Sequence, residues 1–202
     1  MKYIATPTDS IFFNLHDICI FSTQDLSREF WQLKLVVTAQ EVTAFTFNHQ
    51  HYQFAALPFG LAITPGLFQK ILQQVLLPVL QEHSSEVYLY IDDILIATTD
   101  KVSNLKILEE VLILLKRSEL KLNIAKSHFL KRKIPYLGMR LTNDGLMMEP
   151  SKLKKLLNFE IPQTKVQLQS FLGYANYLCR FSRHFAKHSS LLHYMLSHSK
   201  MN

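Results

Sequence analysis

At 202 residues and 48% hydrophobic side chains, the chain is long enough for one domain with a buried core, or one and a fraction, and nothing in it is low-complexity. The net charge of +6 is uneven: residues 1–100 carry 4 basic and 10 acidic side chains, residues 101–202 carry 18 and 6. An acidic half followed by a basic half suits a protein that grips a polyanion, although lysines that only solvate helix faces are the plainer alternative.

The predicted elements follow in chain order. Phe21-Ser22-Thr23-Gln24-Asp25-Leu26 runs β-branched and aromatic residues up to one aspartate, like a strand that ends in an acid. Residues 43–47 and 51–57 read as a strand pair joined by Asn48-His49-Gln50. Thr64-Pro65 marks a helix start, with Thr as N-cap and Pro at the first helical position, and the helix is expected to end near Leu77, before Pro78. Val87-Tyr88-Leu89-Tyr90-Ile91 and Ile94-Leu95-Ile96-Ala97 flank Asp92-Asp93 and read as a hairpin broken at the two aspartates. Asp100 caps a second helix to about Ser118, with Val102, Leu105, Leu108, Val111, Leu112 and Leu115 at helical spacing. Residues 134–149 read as a hairpin around Asn143-Asp144-Gly145, and Thr164-Lys165-Val166-Gln167 is a capping-box pattern opening a helix. The central order β-α-β-β-α-β predicts a sheet backed by two helices.

Adjacent carboxylates at Asp92 and Asp93 repel unless a cation sits between them, and hard divalent cations take oxygen ligands. The alternative at this point is a solvated acidic turn. Asp25, at a second strand end, supplies a third carboxylate, and three on neighbouring strands can hold two Mg²⁺ ions for an in-line displacement. Cys19 and Cys179 are solitary, which argues against a disulfide framework or a zinc site. The histidines lack metal-ligand spacing, apart from His184 and His188 on one helix face, and read as surface residues. No signal peptide opens the chain and no apolar run approaches membrane-spanning length, so a soluble, intracellular protein is expected.

Phe21-Ser22-Thr23-Gln24-Asp25-Leu26, Leu57-Pro58-Phe59-Gly60-Leu61, Tyr90-Ile91-Asp92-Asp93, Leu120-Lys121-Leu122-Asn123, Tyr136-Leu137-Gly138 and the stretch Gln169 to Tyr177 come in an order that resembles a reverse transcriptase palm of the gypsy-type LTR retrotransposon and retrovirus-like family. The resemblance covers roughly residues 20 to 190. It implies an α+β, ferredoxin-like palm over residues 1–148, with fingers largely missing, and the start of a helical thumb over 149–202. The implied function is RNA-directed DNA polymerisation, a two-metal nucleotidyl transfer from a dNTP to a primer 3′-hydroxyl on an RNA or DNA template. The other reading is a catalytically inactive remnant that at most binds nucleic acid.

The resemblance also assigns roles. Asp25, Asp92 and Asp93 would be catalytic and hold Mg²⁺, with Mn²⁺ as the alternative ion. Leu26, Phe30, Phe59, Gly60 and Lys126 would form the nucleotide site, with the Phe30 ring beneath the sugar. Tyr136, Leu137 and Gly138 would form the primer grip. Lys116, Arg117, Lys121, Lys131, Arg132 and Lys133 would contact the nucleic acid. The chain would act within a larger polyprotein, in the cytoplasm or in a virus-like particle. Three departures stand out. The first lysine of the family's Lys-Lys motif is Ala125 here. Glu29 replaces a small residue and is expected either to disturb the pocket or to point outward. Only 24 residues precede Asp25, with Lys2 as their only Lys or Arg, so the expectation is a palm cut at both ends that holds a triphosphate poorly.

Overall fold

Ile20–Gln24 forms strand β1, and all five of its residues are buried. The computed structural model describes residues 18–198. A 3-10 turn at Glu29–Gln32 follows, then a short helix α1 at Val37–Val42 and a small exposed hairpin of β2, Phe45–Phe47, and β3, Gln50–Tyr52. The pair expected over 43–47 and 51–57 is therefore present but shorter, and its side chains all face solvent. Helix α2 spans Thr64–Val75 and α3 spans Leu77–Glu82, with Pro78 in the first turn of the second. Pro78 thus starts a new helix instead of merely ending the old one, because a missing N–H costs nothing in a first turn. Thr64 is not the cap: Ile63 is, and the Thr64 hydroxyl donates to the Pro58 carbonyl at 3.0 Å.

Strands β4, Val87–Tyr90, and β5, Asp93–Thr98, are followed by helix α4 at Lys101–Arg117 and strand β6 at His128–Lys131. Hydrogen bonding orders the main sheet β4-β5-β1-β6. With α2 and α3 between β1 and β4, and α4 between β5 and β6, this is the expected β-α-β-β-α-β arrangement, a ferredoxin-like α+β fold.

Asp100 caps α4 as expected, accepting from the Val102 and Ser103 amides at 2.8 and 3.0 Å. The buried stripe of α4 is Asn104, Ile107, Leu108, Val111 and Leu115, whereas Val102, Leu105 and Leu112 are exposed. A polar residue claims the inward face because its bonds are all met. Asn104 accepts from Ser22 Oγ at 2.5 Å and donates to Thr98 Oγ1 at 3.1 Å and to the Ile20 carbonyl at 3.3 Å. Buried amides need that satisfaction, and here it pins α4 against β1 and β5. Around it the apolar core gathers Leu26, Phe30, Phe68, Leu72, Ile94, Ile96, Ile107, Val111 and Leu115.

Strands β7, Lys133–Tyr136, β8, Met139–Thr142, and β9, Gly145–Met148, form a three-stranded sheet in that order. The Asn143-Asp144-Gly145 hairpin read from sequence is the β8–β9 connection, with Gly145 at φ +106. Three helices follow: α5 at Pro150–Leu157, α6 at Lys165–Tyr177 and α7 at Phe185–His198. The predicted capping box is complete, with Thr164 and Gln167 bonding each other's backbone. The chain forms two compact units, Met1–Ile134 with Leu141–Gly145, and Pro135–Arg140 with Leu146–Asn202. In the second, Leu168, Leu172, Ala175 and Leu178 are buried, and Phe159 packs edge-on against Phe171 at 5.2 Å. Among the described residues no helix is long and apolar enough to cross a membrane.

Candidate active site

Asp25 follows β1 directly, and Asp93 is the first residue of β5. The β1–β5 register ends with Gln24 opposite Ile94, so one more antiparallel step brings Asp25 level with Asp93. Directly opposed residues hold their Cβ atoms about 4.5–5.5 Å apart. The Asp25 backbone is fixed from the far side, where its amide donates to Ser127 Oγ at 3.1 Å and its carbonyl accepts from the Asn123 amide at 2.8 Å. Leu26 is buried and bridges Leu122. The Leu120-Lys121-Leu122-Asn123 segment therefore braces the first aspartate, a role that sequence inspection alone does not reveal.

The β4–β5 hairpin closes on Tyr90 opposite Asp93, which leaves Ile91 and Asp92 as its two-residue turn. The break thus falls one residue earlier than the Asp92-Asp93 pair expected from sequence. Ile91 occupies the left-handed region, φ +55, that tight hairpin turns usually give to glycine. For a β-branched side chain this is an outlier costing about 1–3 kcal/mol, held only where the surroundings demand it. The demand comes from Gln69, fully buried on α2, whose Oε1 accepts from the Ile91 amide at 3.2 Å.

Burial pushes the Asp92 carboxyl above its usual range, and the nearby charges of Glu29 and Asp25 push it further. Asp93 is raised to about 6, by burial first and then by Asp92, Asp25 and Glu29. Lys126 acts in the opposite sense on both. Glu29, expected either to disturb the pocket or to point away, lies within electrostatic reach of both aspartates and adds a fourth negative charge. Negative charge crowded beside one lysine, with oxygen atoms as the only donors, has the chemistry of a hard divalent-cation site. The oxygens of Asp25, Asp92 and Asp93 do not all fall within 4.8 Å of one another. Among the described residues, Glu82, His83 and Glu110 are the group that meets that distance. There His83 lies 3.3 Å from Glu86 and 3.2 Å from Glu110, and Lys106 lies 3.8 Å from Glu110. Spacing along the chain hides this network, because Glu110 comes from α4 and His83 from the end of α3.

Phe30 sits in the 3-10 turn after Asp25, 8% exposed, with ring centroids 4.9 Å from Phe59 and 5.5 Å from Phe68. It is both a core residue and a neighbour of the exposed Phe59 ring. Gly60 has φ +91 with open space around it, so glycine is needed there for conformation and not for room. Lys126 is exposed. So are Lys116 and Arg117 at the end of α4, Lys121, and the run of Lys131 ending β6, Arg132, and Lys133 opening β7. Tyr136, Leu137 and Gly138 belong to the second unit, where Leu137 and Gly138 connect β7 to β8.

The sequence signature described as Reverse transcriptase (RNA-dependent DNA polymerase) matches residues 4–141. The chain is 31% identical over 185 residues to the retrovirus-related Pol polyprotein from transposon 297 of Drosophila melanogaster, covering 92% of this chain and 17% of that protein. It is 34% identical over 168 residues to the Pol polyprotein of transposon opus, also of Drosophila melanogaster, covering 83% and 16%. Among solved structures, the foamy viral protease-reverse transcriptase in complex with RNA/DNA hybrid superimposes with a TM-score of 0.84 at 28% identity, covering 99% of this chain and 27% of that one. The same viral protein bound to dsDNA gives a TM-score of 0.89 at 28% identity, covering 100% and 41%.

Proposed function

Since the chain belongs to the reverse transcriptase family, we propose that it is the polymerase palm of an RNA-directed DNA polymerase, which adds dNTP units to a primer 3′-hydroxyl on an RNA or DNA template. The observation that carries this reading is the convergence of Asp25 with the Ile91-Asp92-Asp93 hairpin, two sequence-distant acids brought level by the β1–β5 register. Foamy viral relatives of the same fold bind RNA/DNA hybrid and dsDNA, which supports a duplex substrate here.

In this reading Asp25, Asp92 and Asp93 hold Mg²⁺ or Mn²⁺, which when bound neutralises charge on the attacking and leaving oxygens. The chain's own work is positional. Gln69 holds the turn that presents Asp92, and Ser127 and Asn123 hold Asp25. Phe30, backed by Phe68, offers a flat wall beneath the incoming sugar, where a ribose 2′-hydroxyl would collide. Leu26, Phe59 and Gly60 line the same nucleotide site, and Lys126 sets a positive charge where the triphosphate would lie. The Tyr136-Leu137-Gly138 turn contacts the primer end, and the basic run Lys131-Arg132-Lys133, with Lys116, Arg117 and Lys121, grips the backbone. The relatives are polyproteins of which the chain spans less than a fifth, so we assign this polymerase to a larger polyprotein acting in the cytoplasm or in a virus-like particle.

The test is primer extension on an RNA template with Mg²⁺, by this chain and by Asp92→Asn. The neutral amide keeps the shape and removes the charge, so extension should disappear while duplex binding persists. Extension by Asp92→Asn at the wild-type rate would overturn the assignment. Duplex binding with no extension by either protein, even when an upstream fingers segment is supplied, would favour a nucleic-acid-binding module.

A further inference from the structure

We infer that Lys152 and Tyr177 act as one positioning pair that fixes the Leu137–Gly138 turn for primer contact. The inference rests on the primer-contacting role proposed above for that turn, and it adds two residues outside the motifs assigned to it. The turn needs help. Leu137 has φ +47 and Gly138 has φ +74, so two successive residues are left-handed. Such turns favour Asn-Gly or Gly-Gly, and a leucine in the first position carries a steric cost. An external hold is therefore required, and α5 and α6 supply it.

The Tyr177 hydroxyl donates to the Leu137 carbonyl at 3.0 Å and accepts from Lys152 Nζ at 2.9 Å. The same ammonium lies 4.3 Å from the Tyr177 ring centroid, within cation–π range. A charged donor behind a hydroxyl polarises it and strengthens the bond that the hydroxyl gives onward. Lys152 is itself held, because its carbonyl accepts from the Tyr174 hydroxyl at 2.9 Å. Gly138 completes the fit: a Cβ there would strike Lys152 Nζ and the Tyr177 hydroxyl, so the absence of a side chain lets the ammonium come down onto the turn. Gly138 and Tyr177 are both exposed, so the assembly is open to a ligand from solvent. Loops under primer strain would otherwise give way at this left-handed step, and the pair removes that freedom.

The experiment uses the full chain with Tyr177→Phe, Lys152→Met, Lys152→Arg and the double variant of the first two. Amide hydrogen exchange across residues 136–139 reads the turn directly, and KM for primer–template against KM for dNTP reads its consequence. Tyr177→Phe and Lys152→Met should each speed exchange about tenfold and raise primer–template KM by a similar factor, with dNTP KM unchanged. The double variant should be no worse than either single one, since both act through one hydroxyl, and Lys152→Arg should restore the slow exchange. Wild-type exchange in both single variants overturns the pair. Faster exchange with unchanged primer–template KM overturns its link to the primer and leaves the polymerase assignment standing. If the wild-type chain extends no primer even when an upstream fingers segment is supplied, the polymerase assignment and the primer link fall together, and exchange still decides whether the pair holds the turn.

Discussion

The Ile91 amide, in a left-handed turn that a β-branched residue rarely adopts, donates to the buried Oε1 of Gln69 at 3.2 Å. One hydrogen bond thus couples helix α2 to the hairpin tip that carries Asp92. Gln69→Leu roughly keeps the volume and deletes the acceptor, leaving the half-buried Ile91 amide without that partner. That should cost about 0.5–1.5 kcal/mol of stability, the net worth of one hydrogen bond, measured by chemical denaturation. It should also cut kcat more than it changes duplex affinity, because the turn that presents Asp92 relaxes. A stability and a kcat equal to wild type would show that the turn holds itself.

Asp93 gives a pH signature whose sign follows from its cause. Burial and neighbouring carboxylates raise it to about 6, so the folded protein keeps a proton that the unfolded chain has already released. Between the unfolded value near 4 and the folded value near 6, the contribution of this group to stability is lost as pH rises. Above that window the ionised Asp93 is a repulsive charge inside the fold. Asp93→Asn should therefore be more stable than wild type at about pH 8, and the gap should close below about pH 4, where both carry a neutral side chain. Denaturation midpoints across that range check it, and a gap that widens on acidification would refute the assignment. The same substitution should abolish extension, an exchange of function for stability common at active sites.

Much of this was legible in the chain because local chemistry and fold agree. Asp100 caps α4, Thr164 and Gln167 form their box, and the acid-ended strand at Asp25 lies beside the acid hairpin, all as side-chain type and spacing dictate. The misses have physical reasons. The turn at Ile91-Asp92 was hidden because a β-branched residue argues against a left-handed position, and only a tertiary contact from Gln69 reverses that. Asn104 took the inward face of α4 from Leu105, since four buried polar neighbours outweigh one exposed leucine. Neither Ser127 nor Tyr177 carries any local mark of its partner, which is 102 residues away for the first and 40 for the second.

Phe30 separates packing from discrimination. Its ring touches Phe59 at 4.9 Å and Phe68 at 5.5 Å, so shortening it should lower thermal stability whatever its role. If the ring also blocks a ribose 2′-hydroxyl, Phe30→Val should lower the preference for dNTP over rNTP in kcat/KM by about 10–200-fold, the range a steric pocket provides. Phe30→Tyr keeps the ring and should keep the preference. Equal preference in all three proteins would leave Phe30 as a core residue only.

The exposed basic residues separate into two roles that salt can distinguish. Lys131, Arg132 and Lys133 run consecutively from the end of β6 to the start of β7, whereas Lys116 and Arg117 end α4, where cations also complement the helix dipole. Each lysine or arginine that neutralises a phosphate of B-DNA contributes about −0.9 to the slope of log affinity against log salt. Replacing Lys131, Arg132 and Lys133 together by alanine should therefore flatten the slope by up to about 2.7, with little change in stability. Replacing Lys116 and Arg117 should also cost about 0.3–1 kcal/mol each in stability through the lost dipole interaction, whatever nucleic acid they touch. Binding titrations on a primer–template duplex from low to moderate salt read both. An unchanged slope in the Lys131, Arg132 and Lys133 variant would mean that this run only solvates the surface, and the duplex must then be gripped elsewhere.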